Sequence, residues 1–288
     1  MQDSDFTGVR VGIAGLGLIG GSLGMALRHI PGVRVAGFDI DPHTVEAAVK
    51  AGAADEAAVT PETVLGCDYL FVALYPQTIV EFVTGHAGAI AKGTVVVDCC
   101  GIKGRIVRTL APAAAANGFT YIGGHPMAGT ERSGIGAARA DLYDGASFIL
   151  TPPEGTPPAA LSRLRALLQA AGFGRTVVTT PEHHDRMIAF TSQLPHILAC
   201  AYVQSPSCRE HAGFSAGSYR DVSRVAHIAP GLWSELFIDN GDMLCAEIDE
   251  LLRHITTLRD AVRDGDRPGL AAMLAKARQI KDGVDHGN

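Results

Sequence analysis

The chain has 288 residues, 47% of them hydrophobic and 19% charged, with a formal net charge of −6. That length allows two compact domains with buried cores. The mild acidity gives no electrostatic footing on nucleic acid or an anionic membrane, so local positive groups must hold any anionic small molecule.

The opening Met1-Gln2-Asp3-Ser4-Asp5 has no signal-peptide pattern. Cys67, Cys99, Cys100, Cys200, Cys208 and Cys245 form no CxxC pair, which argues against a metal site, and adjacent Cys99 and Cys100 are poorly placed for a disulfide framework. A reduced, cytoplasmic setting is expected. Val11 to Leu27 is uncharged and largely apolar but short for a membrane span and rich in glycine, so a strand–turn–helix unit is expected there.

In chain order, Val9–Ala14, Val33–Phe38, Tyr69–Leu74, Thr94–Asp98 and Phe119–Ile122 read as strands. Helical stretches alternate with them at Ile19–Ile30, Pro42–Ala51, Gln77–Ala91 and Lys103–Asn117. Near-continuous apolar strands separated by helices imply βαβ units in a doubly wound parallel sheet. Gly123–Gly145 reads as a flexible Gly- and Ala-rich loop or short helix, and Ser147–Thr151 and Thr176–Thr179 as two strands flanking a helix over Pro158–Ala171. After Pro181 the strand signal ends. Leu244, Ile248, Leu251, Ile255, Leu258 and Val262 then form one apolar stripe on a long helix from about Leu232 to Asp264. It reads either as an ordinary core helix or as one that also packs across a dimer interface. The expected fold is a Rossmann-type α/β domain over 1–180 followed by an all-α domain over 181–288, for substrate binding and dimerisation.

Gly15-Leu16-Gly17-Leu18-Ile19-Gly20 matches the GxGxxG fingerprint after an apolar strand and at the start of a helix. Gly15 suits a tight turn, Gly17 the approach of a pyrophosphate to the backbone, and Gly20 close helix–strand packing. The helix N-terminus offers N–H groups and partial positive charge to phosphates. Asp39, at the end of the second strand, sits about where the fingerprint places an acid for the ribose hydroxyls. No Arg or Lys follows it in Ile40-Asp41-Pro42-His43, so NAD is expected over NADP.

Gly124-His125-Pro126-Met127-Ala128-Gly129-Thr130-Glu131 follows another strand, and ligands of open parallel sheets sit beyond the strands' carboxyl ends. With the glycine loop, Asp98-Cys99-Cys100-Gly101-Ile102-Lys103, His184-Asp185, Leu194-Pro195-His196, Arg220-Asp221-Val222-Ser223-Arg224 and Trp233, this sequence resembles the prephenate/arogenate dehydrogenase family along almost the whole chain. The resemblance implies oxidative decarboxylation of prephenate to 4-hydroxyphenylpyruvate in tyrosine biosynthesis: hydride leaves C4 for NAD, the C4 oxygen becomes a carbonyl, and the ring carboxylate leaves as CO₂. A homodimer is also implied.

The catalytic residues implied are His125, which takes the C4 hydroxyl proton as a neutral imidazole, and Arg224, which holds the ring carboxylate through two parallel hydrogen bonds. Arg220 is the weaker match. Glu131, His196, Gln193 and Gly101 are the expected substrate contacts. Gly101 stands where the family often has a serine, and Gln193 where it frequently has a histidine. Lys103 caps a strand–helix turn or lies near the cofactor. His184 beside Asp185 reads as a helix cap, and Arg220 beside Asp221 also reads as a surface ion pair.

Other readings share parts of this pattern. Arogenate or 4-amino-4-deoxyprephenate would use the same residues. A 3-hydroxyacid dehydrogenase would need the glycine loop but not the His125 loop. A non-enzymatic NAD-binding regulator would need Gly15, Gly17, Gly20 and Asp39, but neither His125 nor Arg224.

Overall fold

The computed structural model describes residues 6–130 and 132–285. Its first compact unit runs to Asn240 and its second begins at Gly241.

The first unit alternates β1 (Arg10–Ala14), α1 (Leu18–Arg28), β2 (Arg34–Phe38), α2 (Pro42–Lys50), β3 (Glu56–Ala58), α3 (Glu62–Leu65), β4 (Tyr69–Val72), α4 (Pro76–His86), β5 (Val95–Asp98), α5 (Gly104–Asn117) and β6 (Thr120–Pro126). Then come β7 (Ser147–Thr151), α6 (Pro158–Ala170) and β8 (Arg175–Val178). The strands form one sheet in the order β3-β2-β1-β4-β5-β6-β7-β8. β1 to β6 are mutually parallel, while β7 pairs antiparallel with β6 and parallel with β8. The doubly wound reading holds for the first six strands. β3 is short, with only half-buried or exposed residues, and lacked the apolar run that marks its neighbours.

The core lies on both faces of this sheet. Val11, Ile13, Phe71, Val97 and Ile122 pack with Leu23 and Leu27 of α1, and with Leu164, Leu167 and Leu168 of α6. Leu70, Val72 and Val96 pack against Ile79 and Val83 of α4 and Ile106 and Leu110 of α5. Each such side chain contributes about 1.5–3 kcal/mol by leaving water. Strands buried on both faces read as continuous apolar runs, which is why their sequence signal is strong.

Strand β6 is longer than Phe119–Ile122 suggests. Gly123, Gly124, His125 and Pro126 pair with Thr151, Leu150, Ile149 and Phe148 of β7. His125 therefore sits on a hydrogen-bonded strand, not in a flexible loop. A Cβ at Gly124 would lie 2.5 Å from the Asp98 carbonyl oxygen and 2.8 Å from the Phe148 ring, so only glycine lets the strand run this close. Within 123–145 the only regular element among the described residues outside that strand is one 3₁₀ turn, Ile135–Ala137.

The helices that follow in the first unit are α7 (Pro181–Ile188), a π turn (Ala189–Gln193), α8 (Leu194–Tyr202), α9 (Gly217–Ser223) and α10 (Pro230–Asp239). The second unit is a pair of helices, α11 (Gly241–Arg263) and α12 (Arg267–Asp285). The single helix expected from Leu232 to Asp264 is thus broken at Asn240. The Asn240 side chain donates to the Asp185 carbonyl at 3.0 Å and to Gln193 Oε1 at 2.7 Å. Along the stripe of α11, Leu244 is buried, but Ile255 is 44% and Val262 is 65% exposed.

No helix among the described residues is long and apolar enough to cross a membrane. Val11 to Leu27 spans β1, the glycine turn and α1.

Candidate active site

The sheet order reverses between β1 and β4, where doubly wound folds bind nucleotides. The glycine turn lies there. Gly15 has φ +90°, which L side chains rarely adopt, and a Cβ on it would stand 2.4 Å from the Ala73 carbonyl oxygen. A Cβ on Gly20 would stand 1.8 Å from the Gly15 carbonyl oxygen, so α1 and the turn touch through that glycine. At Gly17, by contrast, a Cβ would meet nothing within 4 Å. That open space lies at the N-terminus of α1, beside Leu18 and Ile19, and fits a pyrophosphate.

Asp39 is half-buried beside the turn, and its carboxylate accepts from Leu16 N at 2.9 Å and Asp41 N at 3.1 Å. The acid that was expected to read a ribose also fixes the turn, a role the spacing alone did not reveal.

Beyond β5 and β6 lies a cleft of about 420 Å³. Gly101, His125, Gln193, His196 and Arg224 all line it, although they are scattered over more than a hundred positions of sequence. Glu131 lies outside the described residues. Arg220 is not among the described residues of the lining, whereas Arg224 is. Met127, Thr130, Ser192, His227, Trp233 and Leu236 complete much of the wall. His227 went unnoticed in the sequence; its one signal was its place three residues after Arg224.

The local structure explains how these side chains converge. Thr180 caps α7 by accepting from His183 N, with Pro181 at the first helical position. This sets His184, Asp185 and Ile188 on the buried face. The π turn that follows is an inserted bulge of the kind common near functional sites. Beyond it His196 Nδ1 donates to the Ser192 carbonyl at 2.7 Å, and its ring stacks on Trp233 at 3.8 Å. The Gln193 amide is turned inward: it donates to the Leu236 carbonyl at 2.9 Å and accepts from Asn240. Each end of that amide is anchored by protein, so Gln193 lines the cleft in a fixed orientation. At Gly101 a Cβ would lie 3.4 Å from Leu236 Cδ2 and 3.9 Å from His125 Nε2, ordinary van der Waals contact, so a small side chain would fit there against both.

His184 does not cap a helix, since Thr180 caps α7. Its Nδ1 lies 2.7 Å from Asp185 Oδ1, and its Nε2 lies 2.9 Å from His125 Nδ1. Asp185 Oδ1 also accepts from Lys103 N and its Oδ2 from Gly104 N, both at 2.7 Å. That carboxylate thereby caps α5 at the end where a negative charge is favoured. Burial pushes the Asp185 pKa up, but hydrogen bonds from His184, Gly104 and Lys103 more than offset it and leave it below its ordinary value. Burial lowers the pKa of His184, partly offset by its bond to Asp185. Burial, then His184, then the Lys103 charge hold His125 well below the ordinary histidine value.

These facts fix the protons. An ionised Asp185 only accepts, so His184 Nδ1 carries hydrogen. Neutral His184 then accepts at Nε2, so His125 Nδ1 donates to it. His125 Nε2 is left with a lone pair on the ring edge that reaches the cleft. The arrangement can take a proton from a bound hydroxyl, with a guanidinium in the same cleft to hold a carboxylate.

The neighbouring thiols are poor nucleophiles. Burial pushes Cys100 up to about 12, and Cys99 rises further for the same reason.

The chain matches the family model for the prephenate dehydrogenase nucleotide-binding domain over residues 23–178 and that for the prephenate dehydrogenase dimerization domain over 180–276. It is 31% identical over 280 residues to the prephenate dehydrogenase of Bacillus subtilis (strain 168), covering 94% of this chain and 75% of that one. The arogenate dehydrogenase of Synechocystis superposes with a TM-score of 0.82 at 27% identity, over 96% of this chain and 100% of that one. The prephenate dehydrogenase of A. aeolicus, solved in complex with hydroxyphenyl propionate and NAD+, superposes with a TM-score of 0.86 at 25% identity, over 96% and 98%. With both family models matched in tandem, the chain belongs to the prephenate dehydrogenase family.

Proposed function

We propose that this dehydrogenase converts prephenate to 4-hydroxyphenylpyruvate, with NAD as hydride acceptor and CO₂ as the second product. One observation carries the reading: His125 and Arg224 line one cleft beyond the strand ends, and His125 Nδ1 lies within hydrogen-bond distance of His184, which is itself bonded to Asp185. NAD, bound at the glycine turn, supplies the acceptor for the C4 hydride. Gly15, Leu16, Gly17, Leu18, Ile19 and Gly20 would hold its pyrophosphate and Asp39 its ribose.

In this mechanism His125 takes the C4 hydroxyl proton as the carbonyl forms. Arg224 pairs with the ring carboxylate until C4 has been oxidised, and aromatisation then drives the loss of CO₂. His196, fixed by Ser192 and Trp233, faces the substrate side chain. The residues 1–180 and 181–288 act as nucleotide and substrate–dimerisation parts, and two copies form a homodimer. The match to a dimerization-domain model and the exposed Ile255 and Val262 on α11 support that assembly.

Prephenate carries two carboxylates and a keto group, whereas arogenate carries an ammonium in place of the keto oxygen. The described lining offers Arg224 and three imidazoles, His125, His196 and His227, which suit a dicarboxylate. The match to the prephenate dehydrogenase family models supports the keto acid. NADH formation measured side by side with prephenate and arogenate tests the reading. A higher kcat/KM for prephenate is expected; a preference for arogenate would reassign the substrate, and no NADH from either would remove the proposal.

A further inference from the structure

Beneath the cleft lies a fully buried ion pair that the reaction as described does not use. The side chains of Lys103 and Asp98 are both 0% exposed, and Lys103 Nζ contacts Asp98 Oδ1 directly. The same ammonium donates to the Gly124 carbonyl at 2.6 Å. The Asp98 carboxylate also accepts from Tyr121 OH at 2.7 Å, Cys100 N at 2.9 Å and Gly124 N at 3.3 Å. Both polar backbone groups of Gly124 are therefore held by this pair, and Gly124 directly precedes His125. Lys103 reaches the other imidazole through its backbone, since its N–H donates to the Asp185 oxygen that also accepts from His184. One residue thus ties down both ends of the His125–His184 bond.

Packing does not explain such a pair. Burying two charges costs much of what their attraction returns, and apolar residues of similar volume hold a core at least as well. What the pair supplies, and apolar residues cannot, is direction at Gly124 and a fixed charge close to two imidazoles. We propose that Lys103 is a positioning residue for the reaction: its buried ammonium, clamped between Asp98 and the Gly124 carbonyl, sets where His125 Nε2 stands in the cleft. This rests on the reading of His125 as the base.

The charge acts in the same sense as the geometry. The titratable groups around the two imidazoles are Asp98, Cys99 and Cys100 from the β5 end, Tyr121 on β6, Lys103 at the start of α5, and Asp185 on α7. His196, Arg224 and His227 line the cleft beside them. Of these, Lys103 lowers both His125 and His184, and Asp98 opposes it only at His184.

The test is the double variant Asp98→Asn/Lys103→Met, which leaves neither charge buried alone. It is assayed per folded protein, with prephenate and NAD, across pH. A fall in kcat of about 10²-fold is expected, the size of effect that a misplacement of about 1 Å produces. Both KM values should stay within about threefold, and the acidic limb of the kcat profile should move to higher pH. If the double variant does not fold, Lys103→Gln serves instead. It keeps a donor toward Asp98 but has neither the charge nor the reach to span Asp98 and Gly124, so the same changes are expected at about tenfold. A lower melting temperature with wild-type kcat and an unmoved acidic limb would overturn the proposal and make Lys103 structural. His125→Asn is the control: if it keeps the wild-type rate, the base assignment fails first, whereas an inactive His125→Asn beside a fully active double variant removes only the role of Lys103.

Discussion

His184 Nε2 accepts a hydrogen bond from His125 Nδ1 at 2.9 Å, joining α7 to β6 across 59 positions of sequence. Replacing His184 with Phe keeps a ring of similar size and removes the acceptor. His125 is then free to place its proton on either nitrogen. We expect kcat to fall about 10- to 100-fold, in line with about 1–3 kcal/mol for a buried hydrogen-bonding group left without its partner. The Michaelis constant for NAD should hold within about twofold. Steady-state kinetics on folded protein decide it, and an unchanged kcat would reduce His184 to a packing residue.

His125→Asn should lower kcat about 10²–10⁴-fold and leave NAD binding intact. The wild-type rate falls as pH drops through the pKa of His125, and burial, His184 and Lys103 set that pKa well below the ordinary value of about 6.5. The acidic limb should therefore lie below pH ~6.5, and an acidic limb above it would contradict this electrostatic account. Stability follows the same sign. Below about 6.5 the unfolded chain binds protons at these histidines that the folded chain refuses, so stability is full above that value and declines as pH falls toward the folded pKa values. Thermal melts across pH check it, and His125→Asn should flatten the decline.

Asp39→Asn separates two jobs. The amide oxygen can still accept from Leu16 N, so the glycine turn should survive, while the bond from Asp41 N is lost. The charge that would repel a 2′-phosphate is gone. The preference for NAD over NADP, as a ratio of kcat/KM values, should shrink by about tenfold, which corresponds to about 1.4 kcal/mol. Wild-type enzyme that uses NADP as well as NAD would show that Asp39 serves the turn alone.

Arg224→Ala should act on substrate and spare the nucleotide. Arg224 lines the cleft and is exposed. Its pair with a bound carboxylate excludes water, and loss of one partner of such a pair costs about 2–5 kcal/mol. The specificity constant for prephenate should fall at least about 30-fold, while NAD affinity measured by titration stays the same. An unaltered specificity constant would move the role to another residue, with His227 the next candidate.

Light scattering at micromolar concentration should return twice the 30.1 kDa chain mass. Replacing Ile255 and Val262, both exposed on α11, with Lys should shift the sample toward one copy. A single-copy mass for the unaltered protein would remove the dimer.

Much of this protein was written in local sequence. Strands buried on both faces show as apolar runs, and Gly15 and Gly20 announce the nucleotide turn because only glycine meets its conformational and packing demands, while Gly17 leaves open space at the start of the helix. His125 and Arg224 stood out from the motifs around them, and both line the cleft. The relationships among them were decided by the tertiary structure. His184 looked like a cap until α7 packed against β6 and set its imidazole on His125. Lys103, read as a turn cap or as a neighbour of the cofactor, does stand at the N-cap of α5, but its ammonium is buried against Asp98. Gln193 lines the cleft as expected of a substrate contact, but its amide is also held from within by Asn240 and the Leu236 carbonyl. Even Asp39 holds the Leu16 amide beside any role on a ribose. Local sequence determines backbone conformation and which faces leave water, because those depend on neighbours in the chain. The partner of a buried polar group is chosen by whatever distant group packing brings within about 3 Å, because such a group must find its hydrogen bond inside the protein once water is excluded.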